Sequence, residues 1–231
     1  MDFASHEFWI AVVQIIAIDV VLSGDNAVVI ALACRNLAPD LKRQGILWGV
    51  AGAVGLRVVL TAFAAGLLGY PYLKLAGGVL LLWIGVKLLV PEEAEGHDVP
   101  GSPQLWSAVK TIIVADFVMS LDNVIGVAAA ARDSLVLLLF GLAVSIPLII
   151  GSSQVIMALM ERHPIIVSLG AGLLGYVAGD MLVSDAAVKE WVAATIPAAH
   201  QVVGGACALF VVGLGNWLAW RKAGREERKI V

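Results

Sequence analysis

The chain has 231 residues, 60% hydrophobic and 14% charged, with a formal net charge of −3 and a mean hydropathy of +0.93. A soluble domain is nearer half apolar and a quarter charged, so the composition excludes one and identifies an integral membrane protein. The acidic balance excludes a nucleic-acid surface, which needs clustered Lys and Arg. Spans of about 20 residues leave only short loops and no room for a soluble catalytic domain.

Taken in chain order, the apolar runs predict spans near 8–34, 45–68, 71–90, 107–131, 134–159, 164–183 and 198–220. Asp2 and Glu7 stand where a cleavable leader would carry Lys or Arg, so the first run is read as a retained span. Trp9, Trp48, Trp106, Trp217 and Trp220 fall near predicted ends, where an indole buries its ring and keeps its N–H among headgroups. Nothing alternates as the strands of a membrane barrel do, and the expected fold class is an all-α membrane protein with seven transmembrane helices. Cys34 and Cys207 lie in separate apolar runs, which offers neither a disulfide framework nor a C-x-x-C motif.

Loop cations set the expected orientation. Arg35, Lys42 and Arg43 follow the first span, Arg162 the fifth, and Arg221, Lys222, Arg225, Arg228 and Lys229 the seventh; Lys74, Arg132 and Lys189 fall on the other side. This predicts a multi-pass membrane protein with an outside N-terminus and a cytoplasmic basic tail. The longest loop, from Pro91 to Gln104, carries Glu92, Glu93, Glu95, His97 and Asp98 and reads as a solvated cytoplasmic linker.

That linker divides two related halves. The stretch Asp19-Val20-Val21-Leu22-Ser23-Gly24-Asp25-Asn26 reappears as Asp116-Phe117-Val118-Met119-Ser120-Leu121-Asp122-Asn123, an offset of 97 residues. A looser echo relates Tyr70-Pro71 to His163-Pro164 and sets Lys87 opposite Asp180, an offset of 93. Each half has three spans, and an odd number makes the halves enter the membrane in opposite senses, the inverted-repeat plan of many secondary transporters. The expected organisation is therefore repeat 1 over 1–90, the acidic linker over 91–106, repeat 2 over 107–183, and a seventh helix with its tail over 184–231.

Asp19 and Asp116 fall well inside their spans, where a charge at a helix centre costs about 2.5–3.5 kcal/mol on insertion scales. On a helix of about 100° per residue, Asp19, Ser23 and Asn26 share one stripe, as do Asp116, Ser120 and Asn123. Asp25 and Asp122 lie about 120° off those stripes, so joining one site needs a wide polar face or a local break. Ser23-Gly24 offers such a break, and backbone unwinds at membrane depth where it lines a cavity. Leu121 replaces the glycine in the second half.

Carboxylates and amide oxygens without nearby Cys or His are hard ligands, suited to Mn²⁺, Ca²⁺ or Mg²⁺. The expected metal-binding residues are Asp19, Asp25, Asn26, Asp116, Asp122 and Asn123, with Ser23, Ser120, Arg57 and Asp180 as supporting groups or counter-ions. Arg57 reads as the counter-ion of the empty site, and Lys87 as snorkelling to the end of the third span. Asp180 reads as lying near an interface. The four histidines occupy terminal or loop positions, and Met119 reads as packing. Gly170, Gly172, Gly175 and Gly179 recur at spacings that let helices approach closely. Pro147 with Ser152-Ser153-Gln154 predicts a kink and polar atoms in the fifth span, serving either the site or a helix-to-helix hydrogen bond.

On these residues, the duplicated acidic motif with the short Gly-rich third spans and seven-span length, the chain resembles the TerC family of bacterial membrane proteins. The group is that of lysine-exporter-like transporters, and the branch it resembles most is YjbE-type. The resemblance implies a seven-helix transporter linked to Mn²⁺ efflux and metal homeostasis, with the acidic site at Asp19, Asp25, Asn26, Asp116, Asp122 and Asn123.

The expected function is export of a divalent cation, with Mn²⁺ first among candidates, through a midplane site. No permanently bound cofactor and no enzymatic activity are expected; lipid, the metal ion and coupled protons are the expected partners. One alternative is a membrane scaffold that supplies metal to exported proteins. Another is an intramembrane aspartyl protease, for which Val177-Ala178-Gly179-Asp180 falls one residue short of the G-x-G-D pattern.

Overall fold

The computed structural model describes residues 9, 10, 12–14, 24–67, 70–90, 103–131 and 135–230; over 61–67, 122–131, 135–142 and 225–230 it describes the backbone alone. The described residues are helical, without strands. In chain order the helices are α1 (Gly24–Cys34), α2 (Pro39–Leu67), α3 (Leu73–Leu89), α4 (Pro103–Ala131), α5 (Leu135–Arg162), α6 (Ile165–Ser184), α7 (Lys189–Thr195) and α8 (Ala199–Ile230). Most of the first expected span, and with it Asp19 and Ser23, lies outside the described residues.

These helices are apolar on more than one face, as a helix that meets protein on one side and hydrocarbon on the other must be. Among the described residues Pro103–Leu121, Ala143–Arg162, Ile165–Ser184 and Ala199–Gly224 are long and apolar enough to cross a membrane. Trp48, Trp83, Leu169, Leu209 and Phe210 stand exposed on the outside of the bundle, a surface too apolar for water. Several helices outrun the expected spans. Pro39 starts α2 six residues early, Pro103 starts α4 four residues early, and α8 carries the basic tail on to Ile230. Apolar runs mark the hydrocarbon thickness, whereas a helix continues through polar residues until a backbone signal stops it. Proline in the first turn is such a signal, because its missing N–H would be unpaired there anyway. The seven-residue α7, in what reads as loop, is too short for periodicity to reveal.

The helices pair across the two halves. α1 packs on α5 as α2 packs on α4; α3 packs on α4 as α6 packs on α1; and α3 packs on α6. Exchanging the halves maps each of these pairings onto another or onto itself. α8 breaks the correspondence by packing mainly on α6. One buried cluster joins Val29 and Leu32 of α1, Leu81 and Ile84 of α3, Ile112 and Val118 of α4, and Leu174 and Met181 of α6.

Glycines set the α6–α8 approach. A Cβ added at Gly175 would stand 2.7 Å from the Cys207 carbonyl oxygen, and one at Gly179 2.7 Å from the Cα of Gly204. Both obstacles are backbone, which cannot swing aside. Gly179→Ala is therefore expected to force the helices apart and lower stability by about 1–3 kcal/mol, the usual range for overpacking. Gly205→Ala, where nothing lies within 4 Å, is the matched control. Thermal unfolding in detergent checks the pair.

The loops at opposite ends are tied separately. Lys42 Nζ donates to Glu161 at 2.6 Å, joining the start of α2 to the end of α5. At the other end Asp185, fully buried, follows α6 and accepts the backbone N–H groups of Tyr72, Lys74, Leu75 and Ala187 at 2.8–3.1 Å. Tyr72 holds a left-handed φ of 69° and offers no side-chain cap, so a carboxylate from another helix caps the first turn of α3. Nothing in the sequence reading singled out Asp185.

Candidate functional site

Four helices meet at the centre of the bundle. α1 brings Asn26, Val29 and Ile30; α2 brings Val50, Ala53, Val54 and Arg57; α4 brings Ile112 and Asp116; α5 brings Ile149. Together they line a partly open cavity of about 20 Å³, enough for one water or one small ion. Seven of the ten lining residues are apolar, so the polar groups act in a low dielectric, where charge interactions are strong.

Asp116 and Arg57 are 5% and 4% exposed. The Arg57 Nη2 donates to Asp116 Oδ1 at 2.6 Å, and its Nε donates to Ser120 Oγ at 3.3 Å. The Ser120 hydroxyl donates in turn to Asp116 Oδ2 at 3.2 Å. Asp116 and Ser120 are one helical turn apart on α4, so the i, i+4 spacing delivers carboxylate and hydroxyl to one face, as the stripe predicts. The expected counter-ion role of Arg57 has a named partner, and Ser120 braces both members of the pair.

Asn26 faces the same cavity from α1. It is 4% exposed, and among the described residues neither its amide nitrogen nor its amide oxygen has a hydrogen-bond partner. Leaving such a group unpaired costs about 1–3 kcal/mol, so a buried orphan amide calls for a ligand to explain it. Its backbone is occupied: the Asn26 N–H donates to the carboxylate of Asp25 at 2.8 Å. Asp25 is half-buried in the first turn of α1 and lies within electrostatic range of both Arg57 and Asp116, although it does not line the cavity.

The other expected site residues divide into two groups. Asp19 and Ser23 lie outside the described residues, as do the side chains of Asp122 and Asn123. α4 runs unbroken through Ser120, Leu121 and Asp122, so the second motif has no helix break of the kind Ser23-Gly24 offers. Asp180 does not line the cavity: it is exposed and lies 2.6 Å from the imidazole Nδ1 of His200, at the start of α8. Lys87, in the last turn of α3, sits 5.7 Å over the Trp83 ring. Ser152 and Ser153 turn back to carbonyls of their own helix, Leu148, Ile149 and Ile150. Pro147 lies inside α5, and these hydroxyls bond within that helix, neither in the site nor across to a neighbour. Among the described residues no three His, Cys, Asp or Glu side chains converge to hold a metal.

The site thus offers one carboxylate already paired to a guanidinium, one unpaired amide and a hole of one-ion size. Sequence reasoning missed the cavity wall, because Val50, Ala53, Ile112 and Ile149 are indistinguishable from other apolar residues until the helices are packed.

Comparison with known proteins gives a consistent picture. The integral membrane protein TerC family matches residues 4–223. The chain is 43% identical over 180 residues to the uncharacterized membrane protein YjbE of Bacillus subtilis, covering 78% of this chain and 82% of that protein. It is 23% identical over 179 residues to the uncharacterized membrane protein YceF of Bacillus subtilis, covering 74% and 69%. It is 24% identical over 184 residues to the UPF0053 inner membrane protein YgdQ of Escherichia coli, covering 72% and 77%. No solved structure matches.

Proposed function

The chain belongs to the TerC family of integral membrane proteins, and from that premise we propose that it is a membrane carrier exporting a hard divalent cation, Mn²⁺ before Ca²⁺ or Mg²⁺. The observation that carries this reading is the orphan Asn26 amide facing an ion-sized cavity shared with Asp116. An amide oxygen and a carboxylate suit an oxygen-seeking cation and discriminate against Zn²⁺ and Cu⁺, which favour nitrogen and sulfur. Asp25, one residue before Asn26, and the repeat residues Asp19, Asp122 and Asn123 complete the proposed ligand set. Ser120 and Arg57 support it, and Asp180 does not. Mn²⁺ is chosen over the other hard cations on family resemblance.

Transport, rather than storage or scaffolding, is supported by the placement of the cavity. It lies between α1 and α2 of the first half and α4 and α5 of the second, and the exchange of pairings between halves fits two inverted three-helix repeats followed by a seventh span. The Lys42–Glu161 and Tyr72–Asp185 ties, at opposite ends, fit alternating crossings, and the outside N-terminus is proposed on the loop cations alone. Rocking one half against the other would open the site to each side in turn, and inward protons are the proposed coupling ions. No catalytic step is proposed.

In proteoliposomes the wild type is expected to move Mn²⁺, with Ca²⁺ and Mg²⁺ competing better than Zn²⁺. Asn26→Leu, which keeps the volume and removes both polar atoms, is expected to weaken uptake about 10–100-fold, the range for losing a group that supports a metal. A folded wild type that binds Mn²⁺ without moving it would favour a scaffold. A folded wild type that binds no divalent ion would refute the reading.

A further inference from the structure

We propose that Arg57 is a tethered stand-in for the transported ion: its guanidinium occupies Asp116 while the site is empty, and an arriving divalent cation displaces it. The inference rests on the cation-carrier reading and adds to it a competitor built into the chain.

The geometry limits what the site can hold at once. Arg57 and Ser120 engage both oxygens of Asp116, so the carboxylate nearest the cavity is in use in the empty protein. The Asn26 amide, by contrast, has no partner among the described residues. An ion in the cavity would find one neutral ligand ready and one charged ligand already taken. About 20 Å³ leaves no space for a hydrated ion beside the guanidinium. Like charges a few ångström apart in an apolar surround repel strongly. The ion therefore gains Asp116 only as Arg57 releases it.

The two halves differ here. α2 carries Arg57 in its buried middle, whereas its counterpart α5 has no charged residue from Leu135 to Met160. An internal cation is thus provided for the carboxylate of the second motif and not, from the corresponding helix, for the first. A bare buried carboxylate would otherwise have to take up a proton or stay hydrated when the ion leaves. Arg57 lets Asp116 remain ionised and dry when the ion leaves. The consequence for binding is that ion affinity is reduced by the fraction of time Arg57 holds Asp116.

Direct Mn²⁺ titration of the purified protein, following free Mn²⁺ by electron paramagnetic resonance, tests this on wild type, Arg57→Gln and Arg57→Lys. The expected result is a tighter apparent Kd in Arg57→Gln, by about tenfold or more, with a smaller gain in Arg57→Lys, whose ammonium cannot make the two-point contact. Binding in the wild type with equal or weaker binding in a folded Arg57→Gln overturns the proposal and leaves the carrier reading standing. If Arg57→Gln does not fold, Arg57→Lys decides by the same criterion. Failure of both to fold also overturns it, since a pair that the fold cannot lose is not one an ion displaces. No Mn²⁺ binding in the wild type refutes the carrier reading itself, and this proposal falls with it.

Discussion

Asp116→Asn is expected to abolish Mn²⁺ transport and to destabilise the protein by about 3–5 kcal/mol, the penalty for removing one member of a buried ion pair. The side chain hardly changes size, so packing does not account for the loss. The cause is Arg57, 4% exposed and left with a neutral amide where it had a carboxylate at 2.6 Å. Arg57 cannot shed its proton to escape, because a guanidinium stays charged in proteins. The double variant Arg57→Gln/Asp116→Asn separates the two effects. Replacing both charges by neutral groups of similar shape removes the uncompensated charge, and stability is expected to return to within about 1–2 kcal/mol of wild type. Transport is expected to stay lost, because the double variant lacks Asp116, the carboxylate that lines the cavity among the described residues. Thermal unfolding and proteoliposome flux on the three variants check both halves. If the double variant is no more stable than Asp116→Asn, the pair is not what sets the cost.

Asp116 and Arg57 were each conspicuous in the sequence for one reason: a charge at mid-span is expensive, so its presence demands a partner. Their pairing was less legible, because 59 residues separate them and nothing in either motif names the other. The same logic of cost identified Asn26 as a candidate ligand, but its lack of any partner is a property of the packed helices and not of the residue. Asp180, read as lying near an interface, pairs with His200 near the end of α6, where a charge is inexpensive, and does not line the cavity. The starts of α2 and α4 and the end of α8 were read short, because hydropathy measures the bilayer and a helix continues past it, whereas the third span was read longer than α3. The repeat was read from the acidic motif and a looser echo 93 residues apart, and the helix pairings are compatible with it.

Asp185 escaped notice for the opposite reason, since an acid just after a span is ordinary, and it carries the second large expected effect. Asp185→Ala is expected to lower stability by about 3–5 kcal/mol, because four backbone N–H groups lose their acceptor together. Two of them, on Lys74 and Leu75, belong to the first turn of α3, and a third, on Tyr72, sits in the left-handed turn that the carboxylate holds in place. Asp185→Asn keeps an acceptor oxygen but loses the charge and points N–H groups at donors, so an intermediate loss is expected. The pH dependence has a definite sign. Burial works to raise the Asp185 carboxyl, but the N–H groups of Ala187, Tyr72, Leu75 and Lys74 outweigh it and hold the carboxyl below its ordinary range. A group depressed in the folded state contributes stability that is complete above its unfolded value, about 3.9, and fades as pH falls through the lower folded value. On account of this group, unfolding midpoints of the wild type should therefore stay level between about pH 5 and pH 7, where its contribution is complete, and should decline below about pH 4. Asp185→Asn should lie below wild type on the plateau and lose this part of the acid limb, so the two curves converge as pH falls. Parallel curves down to about pH 2 would show that the carboxylate is not what ties α3 to the end of α6.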